Sequence, residues 1–271
     1  DNCNDYIKKS IKTLQKTRPT AQNLFTGITY VYNSIKNNSN FNEIKNIAVK
    51  KANEFADYDV EACKKIGEYG SSLIKDKCKI GTHCNAGWLA FVDWGSALSP
   101  IYSAHRAGKD VFVFVDETRP RNQGSTLTAW ELAQEKVPHA IIADNAAGYY
   151  MKKREINMVI TGADRIVANG DAANKIGTYE KAVLAKENNI PFYVAAPTTT
   201  FDLSLESGDL IPIEERSQDE ILSISGIRIA PKESSAKNPA FDVTPAKYIA
   251  GIITEKGVIK ANKEAIVNLL K

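Results

Sequence analysis

The chain has 271 residues, 43% hydrophobic and 25% charged, with a formal net charge of +3. That length supports one large domain or two smaller ones around a real core, and the near-balanced charge excludes global electrostatic steering towards nucleic acid or a membrane surface. No apolar run reaches the roughly twenty residues a transmembrane helix needs and no signal pattern opens the chain, so a soluble, cytoplasmic protein is expected. The cysteines, Cys3, Cys63, Cys78 and Cys84, form neither a CxxC pair nor a paired metal-site spacing, which favours reduced thiols over a disulfide framework. The first residue is Asp1 rather than methionine, and a preceding segment is expected.

From Tyr6 to Gly70 apolar residues recur at helical spacing, in Ile7-Ile11-Leu14, Leu24-Ile28-Val31-Ile35 and Ile44-Ile47 onward to Ile66. Breaks at Arg18-Pro19-Thr20 and Asn37-Asn38-Ser39-Asn40 divide this region into three helices. The basic run Lys8-Lys9-Lys12-Lys16-Arg18 reads as a solvated helix face.

Beyond Lys77 short apolar runs alternate with longer amphipathic ones. Strands are predicted at 78–82, 111–115, 140–143, 158–160 and 192–195, with helices over 88–107, 128–136, 146–154 and 178–188. Thr128-Ala129-Trp130-Glu131 has capping-box spacing and marks a helix start. Near-continuous apolar strands alternating with helices predict a parallel sheet covered on both faces. The fold class is therefore α/β, an N-terminal helical domain (1–76) followed by a Rossmann-like, doubly covered, mostly parallel sheet (77–271). Residues after Phe201 read as loop-rich, with a helix–strand–helix piece from Ala246 to the end.

The residues that each strand runs into carry the functional information. The five strands meet His83-Cys84-Asn85-Ala86-Gly87, Asp116-Glu117-Thr118-Arg119-Pro120, Asp144-Asn145, Gly162-Ala163-Asp164-Arg165 and Ala196-Pro197-Thr198-Thr199-Thr200. Carboxyl ends of parallel strands share one edge, so these clusters are expected to line one crevice. Arg119, Arg121, Arg165, Lys175 and helix N-termini there favour an anion, most simply a small phosphorylated metabolite. No GxGxxG or GxxxxGK[ST] is present, and His83, His105 and His139 show no HxxxH or HExxH spacing. Dinucleotide, P-loop and metal chemistry are thus unsupported.

Cys84 differs from Cys63 and Cys78, which read as small buried hydrophobes, because it follows a strand end and precedes an expected helix start at Asn85-Ala86-Gly87. Asp164 is either a helix cap or partner of Arg165, or a strand-end acid–base group. Asp171 reads as closing the Asn169-Gly170 turn; Asp242 reads as turn structure, with Thr244 the better N-cap for the last helix; and Glu214-Glu215-Arg216 is either a surface ion pair or a lid anchor.

The longer motifs resemble a known family. Thr82-His83-Cys84-Asn85-Ala86-Gly87, Asp116-Glu117-Thr118-Arg119-Pro120 with Gln123-Gly124, Thr128-Ala129-Trp130-Glu131-Leu132, Gly162-Ala163-Asp164-Arg165-Ile166, Asn174-Lys175-Ile176-Gly177-Thr178 and Asn238 to Pro245 resemble the methylthioribose-1-phosphate isomerases. Those enzymes share a superfamily with the regulatory subunits of translation initiation factor 2B and ribose-1,5-bisphosphate isomerase. The likeness runs from about Arg18 to Gly257. It implies conversion of 5-methylthioribose 1-phosphate to 5-methylthioribulose 1-phosphate in methionine salvage, without a cofactor, in a homodimer that binds neither nucleic acid nor membrane. The alternatives are isomerisation of a related pentose phosphate such as ribose 1,5-bisphosphate, or a non-catalytic initiation-factor-like subunit. By the same resemblance the catalytic pair falls on Cys84 and Asp164, and phosphate contacts fall on Arg18, Gln123, Asn174 and Lys175; within the pair, the need to protonate a sugar oxygen first makes Asp164 the expected acid and Cys84 the base near C2. Family members also carry an Arg-Gly-Ala-Pro segment ahead of the helical region, which this sequence does not contain.

Overall fold

The computed structural model describes residues 3–271; Asp1 and Asn2, and the side chain of Cys3, lie outside the described residues. Three helices open it, α1 (Cys3–Thr17), α2 (Gln22–Ile35) and α3 (Phe41–Ser71). Asn40 caps α3 by accepting from the amides of Asn42 and Glu43. The predicted breaks hold, since Pro19 and the Asn/Ser tract both fall between helices.

Next come β1 (Cys78–Thr82), α4 (Ser99–Arg106), β2 (Val111–Asp116), α5 (Ala129–Gln134), β3 (His139–Ile142), α6 (Ala147–Lys152), β4 (Met158–Thr161), β5 (Arg165–Val167), β6 (Ala172–Lys175), α7 (Thr178–Glu187) and β7 (Phe192–Ala195). The remainder holds β8 (Phe201–Asp202), α8 (Asp219–Leu222), β9 (Ser223–Ile224), β10 (Ile227–Arg228), β11 (Phe241–Thr244), β12 (Gly251–Thr254), β13 (Gly257–Ile259) and α9 (Lys263–Leu270). No described helix is long and apolar enough to cross a membrane.

The main sheet has strand order β13-β12-β7-β4-β1-β2-β3, parallel except for the antiparallel edge strand β13. Its strands alternate with period two. Ile80, Val111, Val113, Val115, Met158 and Ile160 pack with Ile66 of α3, Ile101 of α4 and Leu132 of α5 on one face. Phe114, Ile142, Val159, Phe192, Val194 and Ile252 pack with Met151 of α6, Ala182 of α7 and Ile266 of α9 on the other. Both faces are covered, which is why the strands lack the polar alternation of a half-exposed sheet. Each fully buried Ile or Val stabilises this core by roughly 1.5–3 kcal/mol.

Several expectations need correction. The 88–107 segment is helical only at a single turn, Trp88–Ala90, and at α4. Between them Trp94 (φ +65°) and Gly95 (φ +75°) break the helix; Glu131 accepts from the amides of Trp88 and Leu89 that open the single turn, and Asp59 takes the Val92 amide, which a continuing helix would bond to the Trp88 carbonyl. No helix therefore begins at Asn85 to Gly87 to polarise Cys84.

Thr128 does not cap a helix start. It lies in a wide helical turn (Gly124–Thr128) that runs straight into α5, and its hydroxyl donates to the carbonyl of Cys84. The turn read at Asn169-Gly170 holds, with Gly170 at φ +93°, but it joins two strands that were not expected, β5 and β6, as an antiparallel hairpin. This hairpin nucleates a second sheet, β11-β6-β5-β8, so the loop-rich tail contributes β11.

Thr244 caps nothing; the chain continues through one turn at Ala246–Tyr248 into β12 and β13. Asp242 is the cap instead, its carboxylate accepting from the amides of Gly177 (2.7 Å) and Tyr179 (3.0 Å) at the start of α7. Asp171 ties the hairpin to its surroundings, accepting from Asn169, Gly208 and Ala246.

Asp242→Ala is expected to lower stability by about 1–2 kcal/mol, the worth of a lost cap, measured by denaturant unfolding. Burial raises the Asp242 carboxyl from 3.8 to about 6. The folded state holds that proton more tightly than the unfolded chain, so the associated stability is full below about pH 4 and is lost as pH rises through about 6. Asp242→Asn should flatten that part of the stability profile.

Candidate active site

The site is organised by strand register. Parallel pairing sets Gly81 beside Val159 and Thr82 beside Val115, and the Thr82 hydroxyl donates to the Ile160 carbonyl (2.9 Å). The turns after β1 and β4 therefore leave the sheet side by side. Gly162 has to be glycine here because a Cβ would lie 2.7 Å from that of Ala86.

A cleft of about 1370 Å³ opens above these strand ends. Three of the five strand-end clusters reach it, through Cys84 and Asn85, Asp164, and Thr200, while after β2 the residues just beyond the cluster, Arg121 and Gln123, do so instead. The cluster after β3 does not. Asp144 turns inward to hold the loop after β2, accepting from the amides of Thr118 (2.7 Å) and Arg119 (2.6 Å).

All six expected site residues line the cleft: Cys84, Asp164, Arg18, Gln123, Asn174 and Lys175. Arg18, in the linker between α1 and α2, places Nη2 2.8 Å from Oδ1 of Asp164, and the amide of Gln22 donates to the Asp164 carbonyl (2.8 Å). These two bonds join the helical region to the end of β4. Asn174 donates to the Thr178 hydroxyl (3.0 Å), Lys175 donates to the carbonyl of Ala240 (3.0 Å), and the buried Oε1 of Gln123 has no hydrogen-bond partner among the described residues. Leu24, Ile28 and Val31 of α2 and Phe55 of α3 give the cleft an apolar part of its lining.

Two arginines expected to bind an anion are used elsewhere. Arg165 is buried and directed at the carbonyls of Pro19 and Thr20 and at Asp202 (2.9 Å). Arg119 donates to the carbonyls of Pro120, Glu220 and Ile221. Arg121 does line the cleft, paired with Glu220 (2.6 Å).

Arg216 and Glu214, which the sequence left undecided, form a 3.0 Å pair at the cleft, and Arg216 and Lys175 both stand over the ring of Phe241. Nothing in the sequence links position 216 with 175. The connection runs through Ala240, which donates to the Glu214 carbonyl and accepts from Lys175.

Burial dominates the electrostatics. It pushes the Cys84 thiol up to about 11, opposed by Lys175 and reinforced by the Asp164 carboxylate. It also raises the Asp164 carboxyl above the ordinary range, against Arg18 and Lys175, and lowers the Lys175 ammonium. Cys63 and Cys78 are buried with their thiols raised, as expected of structural cysteines.

Beneath the cleft, His83 lies between Asp116 (2.8 Å) and the carbonyl of Ile176 (2.8 Å). His83, Asp116 and Asp144 are close enough together to suit a metal ion, but Lys181 already brings a cation there, 3.6 Å from Asp116 and donating to the Asp144 carbonyl.

Comparison with known proteins agrees with this architecture. The model of the initiation factor 2 subunit family matches residues 2–261. A methylthioribose-1-phosphate isomerase of Acetivibrio thermocellus is 55% identical over 255 residues, covering 93% of this chain and 75% of the relative. The crystal structure of 5-methylthioribose 1-phosphate isomerase from Pyrococcus horikoshii superposes with a TM-score of 0.87 at 45% identity, covering 98% of this chain and 75% of that one. A structure of translation initiation factor eIF-2B, subunit delta, from A. fulgidus gives 0.84 at 44% identity, covering 98% and 78%. The chain therefore spans about three quarters of the length of these relatives, and it belongs to the initiation factor 2 subunit family.

Proposed function

We propose that the chain is an aldose–ketose isomerase acting on a phosphorylated sugar, with 5-methylthioribose 1-phosphate as substrate and the 1-phosphate of the corresponding ketose as product. The observation that carries this reading is the convergence of a thiol, a carboxylate and a cationic wall on one cleft, in a chain 55% identical to a methylthioribose-1-phosphate isomerase. The apolar lining from Leu24, Ile28, Val31 and Phe55 suits a thioether substituent and disfavours a second phosphate, which ranks this substrate above ribose 1,5-bisphosphate.

The reaction moves hydrogen within one molecule and is redox-neutral, so it needs no external electron carrier. Arg18, Gln123, Asn174 and Lys175 are assigned to the phosphate, where charge-assisted hydrogen bonds are strongest. The closed furanose carries phosphate on its anomeric carbon, and its ring oxygen must be protonated before C1 can open. Asp164 suits that step, because burial makes its carboxyl hold a proton more readily. Hydrogen then passes from C2 to C1, through an enediol or by direct shift. Cys84 is assigned as the group beside C2: a thiolate derived from so weakly acidic a thiol is a strong base, and the Lys175 ammonium favours its formation.

An initiation-factor-like role is the second reading, favoured by the likeness to the A. fulgidus subunit. The homodimer belongs to the same proposal, and light scattering reads it directly.

Incubation with 5-methylthioribose 1-phosphate, followed by ³¹P and ¹³C NMR, should show the ketose. Cys84→Ser and Asp164→Asn should each lower kcat by about 10²–10⁴-fold with unchanged circular dichroism; full activity in either variant removes that residue from the chemistry. Lys175→Met should raise KM through the phosphate and also lower kcat, because the Cys84 thiolate loses its cationic neighbour. No turnover, with initiation-factor subunits recovered as partners, would favour the second reading. In the free protein, iodoacetamide should alkylate Cys84 slowly at neutral pH and faster as pH rises towards about 11. An inflection below about pH 8 would contradict the burial-dominated thiol.

A further inference from the structure

Cys84 holds a backbone conformation that its residue type disfavours. Its φ is +64°, in the left-handed region where a Cβ crowds the following carbonyl. Such a conformation persists only when the surroundings over-determine it. Here both peptide groups flanking the Cα are gripped by threonine hydroxyls: the Cys84 amide donates to Oγ1 of Thr118 (2.8 Å), and Oγ1 of Thr128 donates to the Cys84 carbonyl (2.6 Å).

Each hydroxyl is used in both directions. Thr118 also donates to the carbonyl of Asp116 (3.0 Å), and Thr128 also accepts from Nδ2 of Asn85 (3.2 Å). Both threonines are fully buried, and neither lines the cleft. Thr118 is itself held at φ +63° by Asp144, which accepts from its amide. Asn85 is steadied by Glu131 (2.8 Å), a buried carboxylate that also accepts from the amides of Trp88 and Leu89 and from the Tyr102 hydroxyl. A methyl in place of either hydroxyl leaves one Cys84 peptide group without its partner in a buried setting.

We propose that Thr118 and Thr128 are positioning residues that clamp the Cys84 backbone from both sides and thereby aim its sulfur into the cleft. They act through Cys84 and do not touch substrate. The significance for turnover rests on the isomerase reading, whereas the aim of the thiol does not. If either grip is lost, Cys84 can relax towards negative φ, which swings the sulfur relative to Asp164. Misplacement on the scale of about 1 Å is enough to cost about 10²-fold in rate.

The test uses Thr118→Val and Thr128→Val, which keep the shape and remove the hydroxyl, with the serine variants as rescue. The expected result is a kcat lowered by about 10–100-fold with KM nearly unchanged, and near-wild-type kcat in the serine variants. The second readout is the rate of Cys84 alkylation by iodoacetamide as a function of pH, which should differ clearly from wild type in the valine variants even if no turnover is found for any form of the protein. A merely structural role would lower the melting temperature and leave both readouts unchanged per folded molecule; that result overturns the proposal. Should the valine variants not fold, alanine and serine variants carry the test. Serine variants that retain wild-type alkylation while alanine variants do not support it, and equal behaviour of the two overturns it.

Discussion

The register between β1 and β4 is the constraint on which the site depends. Because Gly81 lies beside Val159, the chain leaves both strands at the same height, and the turn bearing Cys84 emerges next to the turn bearing Asp164. A one-residue slip would reverse the faces of either strand and bury the wrong half of its side chains. The core therefore fixes the site: Ile80 and Ile160 must face α4 while Val159 faces α6 and α7, and only one register satisfies both faces.

On that frame the polar groups fall into a layer that lines the cleft and a supporting layer behind it. Cys84, Asp164, Asn174 and Lys175 line the cleft. Behind them His83, Asp116, Asp144, Lys181 and Glu131 are consumed by bonds to backbone amides, carbonyls and one another. Such buried charges are tolerated only because each is paired, and what they gain structurally is the fixing of loops that hydrophobic packing alone would leave loose. The helical region contributes from the other side, with Arg18 and Gln22 both bonded to Asp164.

Much of this was legible in the residues. The three helices, the five parallel strands and their shared functional edge are set by apolar periodicity and by the residues each strand runs into. Cys84 and Asp164 stand out because a glycine and a polar group interrupt an apolar run. Side-chain direction was not legible. Arg119, Arg165 and Asp144 occupy strand ends just as Asp164 does, yet each is turned towards backbone groups, because polar atoms near the core must find partners there. Thr128 and Glu131 have the spacing of a helix cap, and their true partners lie far away in sequence, in the Cys84 loop. The contribution of Arg216 depends on β11 pairing with β6, a long-range contact without a local signal.

On the proposed reading, Cys84 and Asp164 flank the reacting carbons of a sugar whose phosphate is held by Arg18, Gln123, Asn174 and Lys175. The crystal structure of the Cys84→Ser protein with 5-methylthioribose 1-phosphate bound tests it most directly. The account predicts the phosphate against Asn174 and Lys175, the ring oxygen within hydrogen-bonding reach of Asp164, and C2 beside position 84. A sugar bound outside this cleft, or one reversed so that its methylthio end lies between positions 84 and 164, would contradict it.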